Sequence, residues 1–393
     1  AVRRSRSYLQ RVAEPAAMLW SARGSALFRV QRPGDAADAY RRVIALDGRC
    51  AEAHLRLGSG LLEPRTVEIP VELRQAVQAL TAGDRERAVG LLQAVLERSP
   101  GHPIAHRLLG ETLFALRTAS SMAMQDEAFR GLAAAMPKPD VGHLPIAQFV
   151  TGYGTLSAER RAVVDRTAAL FASKLGKLVA VGGHHDLLHE LERTTDAEAR
   201  RSLRGRRTFD GRVWDDVRGV GGIRAATGIE ALDEAATFGF DTFAHEVAHQ
   251  VHFFAFTPLQ RARIRSLYKA AMSERRCLDY YAASNEAEYF GQGVEAFVSL
   301  AKRPGGETTH GHTRFELYRV DPALHDFLAA LVDFDPLADE AVRDDLLAHA
   351  VRVALRCGRP DDALCAAEMM SPGDRRTDLL LRAIAAREEQ RSR

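Results

Sequence analysis

Two stretches near the N-terminus repeat the same order of events, and this repetition limits the fold more than any other feature. "GDAADAYRRVIALDGRCAEAHLRLG" fills 34–58 and "GDRERAVGLLQAVLERSPGHPIAHRLLG" fills 83–110. Each opens on Gly-Asp, runs through a helix rich in small residues, stops at Gly48 or Pro100, and starts a second helix that reaches Leu-Gly. Leu57-Gly58 and Leu109-Gly110 stand 52 residues apart, as do Gly48 and Pro100. A lone helical hairpin cannot bury its apolar face, so such a period predicts hairpins stacked on one another.

The pattern resembles tetratricopeptide repeats, whose usual period is about 34 residues. The surplus is read as an insertion around "EPRTVEIPVE" (63–72), where two prolines interrupt helix. The resemblance implies an α-solenoid over 1–135 with a concave groove suited to a protein partner. "MPKPDVGHLP" (136–145) breaks helix by proline three times and reads as a linker. A mixed region follows, expected to form a catalytic domain over 145–335. Residues 158–175 predict one amphipathic helix, "KLVAVGG" (177–183) a short strand, and the Gly-rich "FDGRVWDDVRGVGGIRAATG" (209–228) strand fragments, with 214–222 either a cleft-lining turn or a hairpin. Beyond 240 helix returns. The tail, 336–393, predicts two helices around "CGRPDDALCAAEMMSPGD", a terminal hairpin cap. The fold class is thus mainly α, α+β overall.

The sharpest chemical pattern is "DTFAHEVAHQVH" (241–252). His245 and His249 are four apart, so on a helix they project from one face and can share an ion. Zinc accepts imidazole nitrogens and keeps an open position for water at a catalytic site. Glu246 lies next to the first His, where a carboxylate can take a proton from metal-activated water. Phe243, Ala244, Val247, Ala248, Val251 and Phe253 make the helix apolar around the motif, and buried imidazoles need partners. Pro258 stops it, and Thr257-Pro258-Leu259-Gln260 reads as a capping box opening the next helix.

A catalytic zinc needs a third protein ligand. The metzincin pattern would place His ten residues after the first His and Gly three before that, but Ala255 and His252 stand there. The alternative is a carboxylate from "SNEAEYFGQGVEAFVSLA" (284–301), where Glu288, Gln292 and Glu295 share a helix face. Glu286 and Glu295 are rivals to Glu288, and Asn285-x-x-Glu288 is also an acceptable capping box that would occupy the carboxylate. Gly291 and Gly293 each cost about 1 kcal/mol against Ala in a helix. They make sense if this helix packs against another backbone, such as that of the His245 helix.

"HEVAH", followed by a Tyr seven residues before the second Glu of "NEAEYF", resembles the catalytic domain of the anthrax lethal factor and the related Pro-Pro endopeptidases, a gluzincin-like zincin fold with a small sheet and two metal-binding helices. The resemblance spans about 145–335, with its strong motifs within 241–297. It implies Zn2+ held by His245, His249 and Glu288, with Glu246 as general base and Tyr281 supporting the oxyanion. Where the lethal factor has a second Glu one turn later, this chain has Gln292, able to accept a hydrogen bond from a ligand histidine but bringing no charge. Pro-Pro specificity does not carry over by motif.

Other histidines compete. His184, His185 and His189 in "GGHHDLLHE" read as a surface or cleft helix before a second metal site. His310 and His312, in a loop, are alternative oxyanion donors or solvated residues. The formal net charge of +2 gives no electrostatic footprint for nucleic acid, and no run approaches the ~20 apolar residues of a membrane span. The four cysteines form no CxxC pair and suit a reducing compartment, so the reading leans cytoplasmic, although the chain opens at Ala1 and a trimmed leader stays open. The expected function is a zinc endopeptidase acting on a peptide or protein substrate. The alternative is a repeat-based interaction module whose zinc domain is inactive or acts on something other than peptides.

Overall fold

The computed structural model describes residues 15–303 and 311–392, with the side chains of 15 and 120–126 outside the description. His310 therefore lies outside the described residues. The chain divides into two compact units, one of 1–120 with 188–218, the other of 121–187 with 219–393. This differs from the three consecutive segments expected from the sequence. The boundary placed near 135 falls inside the second unit, and the tail from 336 belongs to that unit too.

The first unit is helical. Helices α1 (Pro15–Arg29) and α2 (Pro33–Leu46) pair, as do α4 (Val71–Thr81) and α5 (Arg85–Arg98). Between them α3 (Ala51–Arg56) runs into a wide turn, Leu57–Leu61, and α6 (Pro103–Ala135) follows α5 as the second helix of the second repeat. The second Gly-Asp works as expected: Gly83 takes φ +79 and the Asp84 side chain accepts from the Arg87 N–H. Gly34-Asp35 instead lies inside the first turn of α2, because Pro33 starts that helix. Residues 63–70 form neither helix nor strand, and α4 starts only after Pro70.

The 52-residue repeat has a physical counterpart. A Cβ on Gly58 would lie 2.4 Å from the Arg107 nitrogen, and one on Gly110 would lie 2.6 Å from the Leu55 nitrogen. The two contacts are reciprocal, so the repeats cross about a local two-fold and only glycine allows the approach. Between the two glycine contacts the equivalent histidines meet: His54 Nδ1 is 2.8 Å from His106 Nδ1, and both are buried. Their Nε2 atoms reach equivalent carbonyls, Gly48 O at 3.1 Å and Pro100 O at 2.9 Å. Segment 188–218 is fastened to the same unit: the Arg107 guanidinium donates to Glu190 O, Arg193 to Arg65 O at 2.9 Å, and the Val213 N–H to Gly60 O at 2.7 Å.

In the second unit the helix expected over 158–175 breaks at Phe171, giving α7 (Ala158–Leu170) and α8 (Ala172–Ala180). "KLVAVGG" is not a strand. Leu175 and Leu178 are buried at helical spacing, so α8 runs on to Ala180 and turns at Gly182, φ +81. The strand comes next, as β1 (His184–Leu188), where a helix was expected. It forms a three-stranded sheet with β2 (Gly219–Val220) and β3 (Arg224–Gly228), in the order β1-β3-β2 with β2 antiparallel to β3. Then follow α9 (Glu230–Ala236), α10 (Thr242–Gln250), α11 (Pro258–Glu274), α12 (Glu286–Phe297), α13 (Arg314–Val320) and α14 (Pro322–Leu331). Phe243, Val247, Val251, Phe290, Val294 and Phe297 join α10 and α12 in one core, each such side chain contributing about 1.5–3 kcal/mol on burial.

The tail holds three helices where two were expected: α15 (Glu340–Arg356), α16 (Pro360–Glu368) and α17 (Asp374–Ser392). Their core includes Phe129 and Leu132 from the end of α6 and Phe315 from α13. The tail therefore shares its core with earlier parts of the unit and is not an independent cap. No helix among the described residues is long and apolar enough to cross a membrane.

Candidate metal centre

Helix α10 is buried from Phe243 to Gln250 on every side. Its start is set by Asp241, whose carboxylate accepts from the Ala244 N–H at 2.9 Å. Gln250 fixes its far end. That side chain donates to His184 O at 3.0 Å and to Ile223 O at 3.3 Å, while its oxygen meets His185 Nδ1 at 3.0 Å. His185 completes its pairing with Thr227 Oγ1 at 2.8 Å. The residue after the second motif histidine thus staples the helix to β1 and to the turn before β3. Nothing in the sequence singled out Gln250. The only hint was a buried amide beside a histidine cluster that needed partners.

Helix α12 brings the carboxylate. Asn285 caps it, accepting from the Ala287 and Glu288 N–H groups at 3.0 Å each. Asn285 alone does this, and the Glu288 carboxylate is turned to the histidines instead. Glu288 Oε2 lies 3.1 Å from His245 Nε2 and 3.5 Å from His249 Nε2, and the two Nε2 atoms are 3.0 Å apart. Ligand atoms 2.0–2.1 Å from a tetrahedral zinc stand about 3.3–3.4 Å from one another. The triangle therefore has the size that a small divalent cation needs, and among the described residues it is the one group of three potential ligands that converges in this way. The Nδ1 of each ring is buried and has no hydrogen-bond partner among the described residues.

The close approach expected from the glycines is present at one of them. A Cβ on Gly291 would sit 2.8 Å from His245 Cε1 and 3.0 Å from His249 Cε1. Gly293 faces Leu324 on α14 instead, at 2.5 Å, and has nothing to do with the histidines. The rival acids are engaged elsewhere. Glu286 pairs with His252 at 3.4 Å and Arg265 at 3.0 Å. Glu295 is fully buried against Lys302 and accepts from the Asp241 N–H at 3.4 Å, which ties α12 to the start of α10. Gln292 is fully buried one turn beyond Glu288.

Electrostatics follow the geometry. Burial alone would raise the Glu288 carboxyl, but the two imidazoles outweigh it and hold the group well below the usual carboxylate range. Burial would lower His245, but Glu288 and Glu246 overcome it and raise the imidazole above its ordinary value. Glu246 is buried beside this cluster. A Cβ on Gly219 would fall 2.7 Å from Glu246 Oε1, and one on Gly221 would fall 3.4 Å from Glu246 Oε2 and 3.3 Å from His249 Cβ. The glycines of "RGVGG" let backbone run past the carboxylate, at the terminal strand of the sheet. Tyr281 lies in the turn ahead of α12, its amide donating to Asp279 Oδ1 at 2.8 Å and its ring against Tyr280.

The competing histidines have other work. His184, His185 and His189 sit on or beside a strand, so the i,i+4 pair does not share a helix face. His185 is fully buried in the Gln250 network, His189 is exposed, and His184 meets Thr151 Oγ1 at 2.6 Å. His312 is neither solvated nor a free donor, since it is buried between two carboxylates, Asp279 and Glu316. None of the curated proteins matches this chain. A tetratricopeptide repeat family model matches residues 21–63 and 73–120, on either side of the insertion, and the N-terminal region carries tetratricopeptide repeats.

Proposed function

We propose that the chain is a zinc-dependent peptidase, with His245, His249 and Glu288 as the metal ligands. The observation that carries this reading is the triangle of two imidazole nitrogens and one carboxylate oxygen, drawn from two buried helices. A zinc ion held by His245, His249 and Glu288 would supply Lewis acidity that polarises a carbonyl and makes water a better nucleophile at neutral pH. Glu246, adjacent to the first histidine and sheltered from solvent, takes the proton of the attacking water and returns it to the leaving amine. Tyr281 carries the oxyanion-supporting role by its resemblance to the lethal factor pattern, a hydrogen bond worth roughly 3–4 kcal/mol in such sites. Gly219 and Gly221 support a substrate that is itself extended chain, because they leave backbone, not side chains, beside Glu246.

Glu246→Gln tests the base. It keeps the metal and lowers hydrolysis of a peptide library by about 10²–10⁴-fold. Elemental analysis and cleavage assays on the same sample read both. Unchanged turnover contradicts the mechanism.

The second reading is an interaction module whose zinc domain does not cut peptides. The tetratricopeptide match favours it in part, since stacked repeats present a groove to protein partners. A wild-type chain that binds zinc stoichiometrically yet cleaves nothing in the library would decide for it.

A further inference from the structure

A cavity of about 530 Å³ opens between α7, α9, the start of α10 and the end of α12, and its lining does not include His245, Glu246, His249 or Glu288. Its volume falls within the ~300–1,000 Å³ of small-molecule sites. The walls are largely apolar, built from Met136, Leu170, Phe238, Phe297, Leu300 and Phe334. Among them stands Arg166 of α7, partly buried. Its guanidinium forms no hydrogen bond and no ion pair among the described residues, and Asp241 and Asp165 act on it only through space. Burial lowers its pKa, and the two carboxylates oppose this without cancelling it. Both acids have work of their own: Asp165 accepts from the Tyr153 hydroxyl at 2.5 Å, and Asp241 from the Ala244 N–H at 2.9 Å. The other charged groups of the lining are committed or exposed. Arg314 forks onto Asp335 at 2.6 and 2.7 Å, Asp233 pairs with Arg160 at 2.7 Å, and Glu159 is exposed.

We propose that this cavity binds a small monocarboxylate with an apolar chain, the carboxylate on the Arg166 guanidinium and the chain along the apolar wall. A partly buried cation short of compensation is stabilised by an anion, and the planar guanidinium can hold a carboxylate through two parallel N–H···O bonds. One negative charge is the match, because a dianion would meet the repulsion of Asp165 and Asp241. The aromatic and aliphatic walls reward buried methylenes and leave a polar body such as a sugar without hydrogen-bond partners. Ala162 lines the same cavity one turn before Arg166, so space and charge can be tested apart. The proposal does not depend on the peptidase reading.

The test uses the full chain and calorimetric titration near neutral pH with decanoate, with decanol as the chain without the charge and acetate as the charge without the chain. One decanoate binds per chain, acetate does not, and decanol binds at least about tenfold more weakly. Arg166→Gln weakens decanoate by about tenfold to a hundredfold and leaves decanol unchanged. Ala162→Phe fills the space, keeps the guanidinium and removes binding of both. Amide hydrogen exchange places the ligand: decanoate, at a level that just saturates the wild type, slows exchange over 237–241 and 298–301 relative to α17, and does not do so in Arg166→Gln. Thermal unfolding of each variant shows that it is folded. Should Arg166→Gln not fold, the decanol comparison and Ala162→Phe decide. A wild type that binds no decanoate, decanol bound as tightly as decanoate, or decanoate affinity unchanged in folded Arg166→Gln or Ala162→Phe overturns the proposal. So does protection confined to other parts of the chain.

Discussion

At Gly291 α10 and α12 come as close as their backbones allow, because His245 and His249 fill the space a side chain would take. Alanine is the better helix former by about 1 kcal/mol, so the clash, not propensity, decides the outcome there. Gly291→Ala pushes a Cβ to within 2.8 Å of the His245 ring, spreads the ligand triangle, and weakens zinc binding by about tenfold or more, as followed by competition with a chromophoric chelator. Gly90, in the middle of α5 with nothing within 4 Å, is the control: Gly90→Ala raises stability by about 0.4–1 kcal/mol in denaturant titration. The glycine at 291 was readable from sequence as a close-approach position, since two helix-weakening residues beside a carboxylate ask for a reason. Its partner at 293 carried the same signal for a different cause, Leu324, and no local pattern could separate the two. Gln250 went unread because its three partners, His184 O, His185 Nδ1 and Ile223 O, lie far away in sequence.

Elements were predictable where a local pattern fixed them. The Thr257 capping box with Gln260 is present in full, and Asn285 caps α12 as its sequence asks. The exchange of strand and helix around 177–190 went the other way. Val179 and Val181 suggested a strand, yet the period of Leu175 and Leu178 governs, while "HHDLL" is extended because His185 is drawn between Gln250 and Thr227. The repeat crossing adds a pH dependence. Each Nε2 of His54 and His106 faces a carbonyl and carries a proton, leaving room for at most one more between the two Nδ1 atoms. Burial and the neighbouring His54 push His106 down to about 3. With the folded value below the unfolded ~6.5, the unfolded chain binds the extra proton first, so stability is present above 6.5 and is lost as pH falls towards 3. The loss approaches about 1.4 kcal/mol per pH unit in that window. Denaturant midpoints of the repeat region, followed from pH 7.5 to 4, should fall accordingly, and His106→Asn should flatten the slope by one proton. An equal slope in both proteins would contradict it.

On the scale of the whole chain, the boundary at 120 with 188–218 assigned to the first unit matters more than the linker at 136–145 that composition suggested. Segment 188–218 takes its partners from Gly60, Arg65 and Arg107, residues remote in sequence, and no composition shift marks it. A fragment of 121–393 therefore carries 188–218 stripped of those partners. Limited proteolysis of that fragment should cut within 188–218 at protease levels that leave the full chain intact, and equal resistance would argue against the assignment. The functional account depends on a single convergence, two nitrogens from α10 and one oxygen from α12, within 4.8 Å of one another. Its most direct test is zinc content after dialysis of the wild type beside Glu288→Ala. One zinc per chain in the wild type is predicted. The variant should lose affinity by more than the ~10–100-fold that supporting residues around a metal are worth. A wild type that retains no metal, or a Glu288→Ala chain that retains as much as the wild type, would contradict it.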